Sequence, residues 1–127
     1  MGKTAAQLTP REKKHYRSRA REQDELAAGE MLARRQRALS VAREASRILK
    51  AHFGVTRVLL FGSLATQSWF HIRSDVDLAV EGLQREGYWR ADCRLEEIGD
   101  GFEIDLVDLQ TASPGLAQAI HRDGIEI

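Results

Sequence analysis

The residues best placed to do chemistry are two aspartates one position apart, Asp75 and Asp77, in the run Asp75-Val76-Asp77-Leu78-Ala79-Val80. In a strand, residues two apart share a face and lie about 6.6 Å apart along the chain, so both carboxylates point one way while Val76, Leu78 and Val80 take the other. No Lys or Arg partner for the pair is evident in the sequence, and two like charges on one face repel unless a cation sits between them. A divalent metal answers that requirement. Further on, Phe102, Ile104 and Leu106 alternate with Glu103, Asp105 and Val107. Asp105 therefore projects from the face that Phe102 and Leu106 avoid, and if that strand neighbours the one carrying Asp75 and Asp77, it completes a three-carboxylate cluster. Hard oxygen ligands of this kind suit Mg²⁺, and two such ions about 3.5 to 4 Å apart clamp the attacking and leaving oxygens of phosphoryl transfer.

A lone Asp-x-Asp more often marks a solvated strand edge than a catalytic site. Here it is accompanied by Gly62-Ser63, directly after the apolar run Val58-Leu59-Leu60-Phe61. Gly allows close backbone approach, and the N–H groups and hydroxyl of a turn opening a helix can grip a phosphate. Trp69 and Phe70 are candidates for stacking or for covering the sheet edge. His71 is more often a solvated loop residue in such a setting, and His15, His52 and His121 have no ligand spacing. Asp100, Glu103 and Asp108 read as surface charges, and Cys93 as a packing residue.

The elements that must hold these residues follow from local signals. Thr9-Pro10-Arg11-Glu12 is a capping box with Pro at the first helical position, so a helix starts there. Gly29 and the acidic cluster Glu22 to Glu25 suggest a short first helix and a longer second one ending at Gly54. On the second helix Met31, Ala38, Leu39, Ala42, Ala45, Ile48, Leu49 and Phe53 fall within about half the circumference. Strands are expected at Val58 to Phe61, Asp75 to Val80 and Phe102 to Leu109, with a short terminal strand at Ile125 to Ile127. A helical turn at Ser63 to Gln67, a helix from about Gln84 to Ile98 burying Trp89 and Cys93 with Leu95 and Ile98 as further candidates, and a last helix capped by Ser113-Pro114 complete the pattern. Helices alternating with about four strands define a layered α+β domain.

Leu60-Phe61-Gly62-Ser63, eleven intervening residues, Asp75-Val76-Asp77 and the later Glu103-Ile104-Asp105 resemble, as a set, the minimal nucleotidyltransferases of the DNA polymerase beta superfamily. That group includes antitoxins paired with HEPN-domain toxins. The resemblance covers residues 54 to 127. It implies a mixed β-sheet, polymerase beta-like palm that binds ATP with two Mg²⁺ ions and transfers AMP to a hydroxyl, such as a Tyr of a cognate HEPN toxin. It further implies that Gly62 and Ser63 hold the β and γ phosphates, that Asp75 and Asp77 ligate metal, and that Asp105 ligates metal and helps activate the acceptor. Relatives often continue Gly-Ser-x-Ala-Arg-Gly. Here Leu64-Ala65-Thr66-Gln67 follows, so the Arg and Gly are missing. That departure keeps in view a module that neutralises a partner by contact alone; a transferase acting on a small molecule such as an antibiotic is a further alternative.

Composition narrows the remaining possibilities. The chain has 127 residues and no net charge, but 13 of its 19 Lys+Arg and 6 of its 19 Asp+Glu lie in residues 1–50, leaving that part at +7 and the rest at −7. We expect a basic helical arm over 1–30 and a nucleotidyltransferase domain over 31–127 that includes the amphipathic helix. The arm can meet an acidic surface on a partner or on a second copy; nucleic acid is a poor fit because the basic region carries few aromatics. A single Cys excludes a disulfide framework and Cys-rich zinc modules. No apolar stretch approaches the roughly 20 residues that span a bilayer, so the expectation is a soluble, cytoplasmic protein.

Overall fold

The computed structural model describes residues 8–66 and 75–127. The chain divides into two compact units, Met1–Ala33 and Arg34–Ile127. Trp69, Phe70 and His71 lie outside the described residues.

Helix α1 spans Pro10–His52. It starts where the capping box requires: the Glu12 N–H donates to Thr9 Oγ1 at 3.2 Å and the Lys13 N–H to Thr9 O at 2.9 Å. The break expected near Gly29 does not occur. A mid-helix Gly costs about 1 kcal/mol relative to Ala, and the run Leu26-Ala27-Ala28 before it and Glu30-Met31-Leu32-Ala33 after it supplies strong helix formers that carry the helix through. None of the described residues 8–33 is buried, and Tyr16 and Leu26 are 59% and 67% exposed.

The second unit is built on four strands: β1 (Arg57–Phe61), β2 (Val76–Glu81), β3 (Ile104–Asp108) and β4 (Ile125–Glu126). Their order is β3-β2-β1-β4, with β1 antiparallel to β2 and β4, and β2 parallel to β3. This is the mixed sheet expected. A left-handed glycine, Gly54 (φ +68°), ends α1 and turns the chain into β1. The short helix α2 (Ser63–Thr66) follows β1, and a single 3-10 turn (Arg85–Gly87) leads into α3 (Tyr88–Ile98). Helix α4 (Pro114–Asp123) opens with the Ser113 hydroxyl accepting from the Leu116 N–H.

The two faces of the sheet are covered unequally. Val58, Leu60, Val76, Leu78 and Val80 are all buried, as are Val41, Ala42, Ala45, Ile48 and Leu49 of α1 and Ala91 and Leu95 of α3. Ser46 and Lys50 of α1 both donate to Ile127 O, at 3.1 and 2.7 Å, which fixes the helix against the end of the chain beside β1. On the opposite face Ile120 of α4 packs on Leu59 and Ala79, with Phe61, Val107 and Leu109 around them. The α1 stripe thus includes Val41 and Ser46, which the sequence reading omitted.

Trp89 and Cys93 are not core residues. Trp89 is 74% exposed and Cys93 is exposed, because α3 begins at Tyr88 and presents Ala91 and Leu95 to the sheet. Two residues either side of Ala91 is about 200° around the helix, which turns both side chains to solvent.

Candidate active site

Pairing register sets the site. Leu59, Ala79 and Val107 form one row across the sheet, and Phe61, Asp77 and Asp105 form the next row on the same face. The first row is covered by Ile120. In the second row Asp77 is half-buried and Asp105 exposed. The carboxylates therefore occupy the first row beyond the apolar cover, near enough to the core to lose hydration and open enough to receive a ligand.

The geometry brings Asp77 and Asp105 into direct contact. The Asp77 carboxyl is pushed up to about 6, chiefly by burial, then by the charge of Asp105 and the hydrogen bond shared with it, then by the charge of Asp75. Each cause disfavours the charged form, and together they describe a carboxylate whose charge is held at a cost that a neighbouring cation would relieve. Asp75 stands two residues before Asp77 on the same face and acts on it through charge.

The Gly62-Ser63 turn lies against this pair. Gly62 has φ +75°, and a Cβ at that position would collide with Asp77 Oδ2 and lie 3.2 Å from Asp77 Cγ. Only glycine supplies both the left-handed backbone and the space the carboxylate fills. Gly62 O accepts from the Ala65 and Thr66 N–H groups at 3.2 Å each, so Ser63 begins α2 with its hydroxyl in the first turn. All five residues singled out in the sequence are thereby placed at one end of β1, β2 and β3.

The donor set fits Mg²⁺ in a particular way. Among the described residues no three His, Cys, Asp or Glu side chains converge closely enough to hold an ion by themselves. Asp77 and Asp105 supply a touching pair of hard oxygen donors with Asp75 nearby, so the protein provides part of a coordination shell whose remainder suits phosphate oxygens and water.

The sequence reading missed what lies on the α3 side. A groove of about 580 Å³ contains Asp77 and Asp105 and is also lined by Tyr88, Asp92, Glu96 and Glu103. Tyr88 donates its hydroxyl to Leu106 O at 2.6 Å, and burial, followed by the charges of Asp92, Asp105 and Asp108, raises its pKa. The spacing of Tyr88, Asp92 and Glu96, each four apart, was the available signal that they share one helix face.

A four-stranded mixed sheet with a Gly-Ser turn closing on a strand-borne carboxylate pair defines a nucleotidyltransferase of the polymerase beta type. The family model for polymerase beta nucleotidyltransferases matches residues 43–127, and the chain belongs to that family. Solved structures are similar over two thirds or more of the chain. A toxin-antitoxin complex with AMP-PNP matches at 28% identity and a TM-score of 0.57, over 67% of this chain and 70% of that one. A tri-AMPylated HEPN toxin of Shewanella oneidensis in complex with MNT antitoxin matches at 25% identity and 0.54, over 70% of each chain. A minimal nucleotidyltransferase matches at 26% and 0.50, over 78% of this chain and 94% of the other. None of the curated proteins matches. Among the described residues no helix is long and apolar enough to cross a membrane.

Proposed function

We propose that this nucleotidyltransferase transfers AMP from ATP to a hydroxyl of a partner protein, a Tyr of a cognate HEPN toxin, and acts as the antitoxin of that pair. The observation that carries the reading is the contact of Gly62 with Asp77 in the same row as Asp105, which sets a phosphate-binding turn beside a carboxylate pair. Similarity to complexes solved with AMP-PNP and with an AMPylated HEPN toxin supports the choice of nucleotide and acceptor.

In this mechanism Gly62 and Ser63 hold the β and γ phosphates through backbone N–H groups and the Ser63 hydroxyl. Asp75, Asp77 and Asp105 would hold Mg²⁺, which supplies charge neutralisation at the reacting phosphate. Asp105, exposed on an edge strand among the described strands, accepts the proton of the incoming hydroxyl. The acceptor oxygen forms a bond to the α-phosphorus as the bond to the bridging oxygen breaks, and pyrophosphate leaves. Because Thr66 and Gln67 stand where relatives often carry Arg and Gly, the Gly62-Ser63 turn neutralises phosphate charge without that arginine, and a bound Mg²⁺ would supply the remainder.

The test is incubation of the full chain with labelled ATP, Mg²⁺ and the HEPN protein encoded by an adjacent gene. One AMP or more should appear on a toxin Tyr, and Asp77→Asn/Asp105→Asn should abolish it. Neutralisation of the toxin with no label, or equal labelling by the double variant, overturns the reading in favour of contact alone.

A further inference from the structure

We propose that the groove between α3 and β3 is the acceptor channel of this site and that it selects a cationic polypeptide segment carrying the reacting hydroxyl. The inference rests on the reading of the site as one of nucleotidyl transfer, and adds the chemistry of the acceptor.

The groove has two rails. Tyr88, Asp92 and Glu96 form one, stacked on successive turns of α3, and Glu103 and Asp105 of the β3 segment form the other. With Asp77 at the inner end, five carboxylates line it, and no Lys or Arg is among the described lining residues. No described ion pair neutralises Asp92, Glu96, Glu103 or Asp105, although Arg94 and Glu97 on the same helix do pair, at 2.7 Å. Unpaired carboxylates side by side in a groove repel one another and attract positive charge.

Charge also assigns the two ligands to opposite sides of Asp77. A polyanionic triphosphate is repelled from the carboxylate rails and is accommodated at the Gly62-Ser63 turn. The groove, which opens from the same Asp77–Asp105 pair, is left to the acceptor. A cationic segment in it sets a hydroxyl beside Asp105 while its flanking Lys or Arg side chains meet Asp92, Glu96 and Glu103.

Three features favour a polypeptide over a small polycation. The α3 rail from Tyr88 to Glu96 is about 12 Å long at 1.5 Å per residue, the span of several extended residues. β3 is an edge strand of the sheet among the described strands, and its Leu106 carbonyl turns outward to the Tyr88 hydroxyl, so backbone polar groups border the groove. Trp89, next in sequence to the lining residue Tyr88, is 74% exposed, and an exposed Trp is a side chain enriched among protein-binding anchors.

The test measures binding and transfer separately on the full chain. The probes are fluorescent peptides with one Tyr between arginines or between glutamates, and spermine as a competitor. The arginine-flanked peptide should bind at least tenfold more tightly than the glutamate-flanked one, with affinity falling steeply with salt. Asp92→Lys/Glu96→Lys should erase or invert that preference and Asp92→Asn/Glu96→Gln should reduce it, both with Mg²⁺–ATP binding unchanged. Equal binding, no binding of either peptide, or a preference that survives the double reversal overturns the proposal. Spermine binding as tight as that of the arginine peptide overturns the polypeptide assignment. A peptide that binds with the expected preference but is never labelled from ATP defeats instead the reading of the site as a transferase.

Discussion

Replacing Asp77 by Asn should stabilise the metal-free protein, although it removes a carboxylate to which the proposed mechanism assigns metal binding. In the folded state the Asp77 carboxyl titrates near 6, against 3.8 for the ordinary carboxylate. A raised carboxyl pKa means that the folded state keeps its proton longer than the unfolded state, so stability is lost as pH rises from the unfolded value through the folded one. The difference corresponds to at most about 3 kcal/mol at 1.36 kcal/mol per unit. Asp77 is only half-buried, and solvent screening reduces this to about 1–2 kcal/mol. Asn keeps the shape that fits against Gly62, carries no charge and can donate to Asp105. In EDTA at pH 7.5 the variant should therefore melt about 5–10 °C above the parent, a range set by the usual relation for domains near 100 residues. At pH 4.5, where the penalty is only partly developed, the gain should shrink to about a third. Saturating Mg²⁺ and ATP should reverse the order by stabilising the parent alone. Differential scanning fluorimetry across these conditions suffices. A variant less stable than the parent at pH 7.5, or one whose gain does not depend on pH, refutes the account of Asp77 as a charge held under strain.

Gly62→Ala should cost about 1–2 kcal/mol of stability for its left-handed backbone. It should lose far more in transfer rate, because the new methyl displaces the Asp77 carboxylate; a variant of normal turnover would show that this contact is dispensable. Ser63→Ala should lower transfer about a hundredfold with little change in melting temperature, since a phosphate-gripping hydroxyl acts in the transition state; a large thermal shift at normal turnover would mark it as a helix cap only. A chain beginning at Glu30 should fold with nearly the full melting temperature, since none of the described residues 8–33 is buried, and should bind the partner more weakly at low salt. Loss of folding, or partner affinity equal to that of the full chain, would contradict this.

Much of the site was legible because strand periodicity and pairing register are read on the same two-residue alternation. Asp75, Asp77 and Asp105 were placed on one face from parity alone, and the parallel pairing of β2 with β3 then aligned Asp77 with Asp105. What parity could not supply was the depth of each row. Whether Asp77 is half-buried depends on α4 covering Ala79 but not Asp77, a matter of where a distant helix stops. The helix errors have a related cause. Gly29 is a weak breaker outweighed by its neighbours, and Trp89 and Cys93 were assigned to the core on apolar character although the stripe that Leu95, also expected inside, shares with Ala91 lies about 200° away from them.

The position of α4 also explains why the carboxylate pair is tolerated. Ile120 seals the row of Leu59 and Ala79, while Leu116, one turn earlier and 41% exposed, borders the groove that holds Asp77. Had α4 covered the next row as well, Asp77 would lose more hydration and hold its proton more firmly, which opposes cation binding. Had it stopped earlier, the Asp77–Asp105 contact would be solvated and its repulsion screened, leaving little gain when a cation arrives. The half-covered row lies between these limits, which suits the proposed binding of a divalent ion together with the phosphates. Such a site trades stability in the empty protein for affinity in the loaded one.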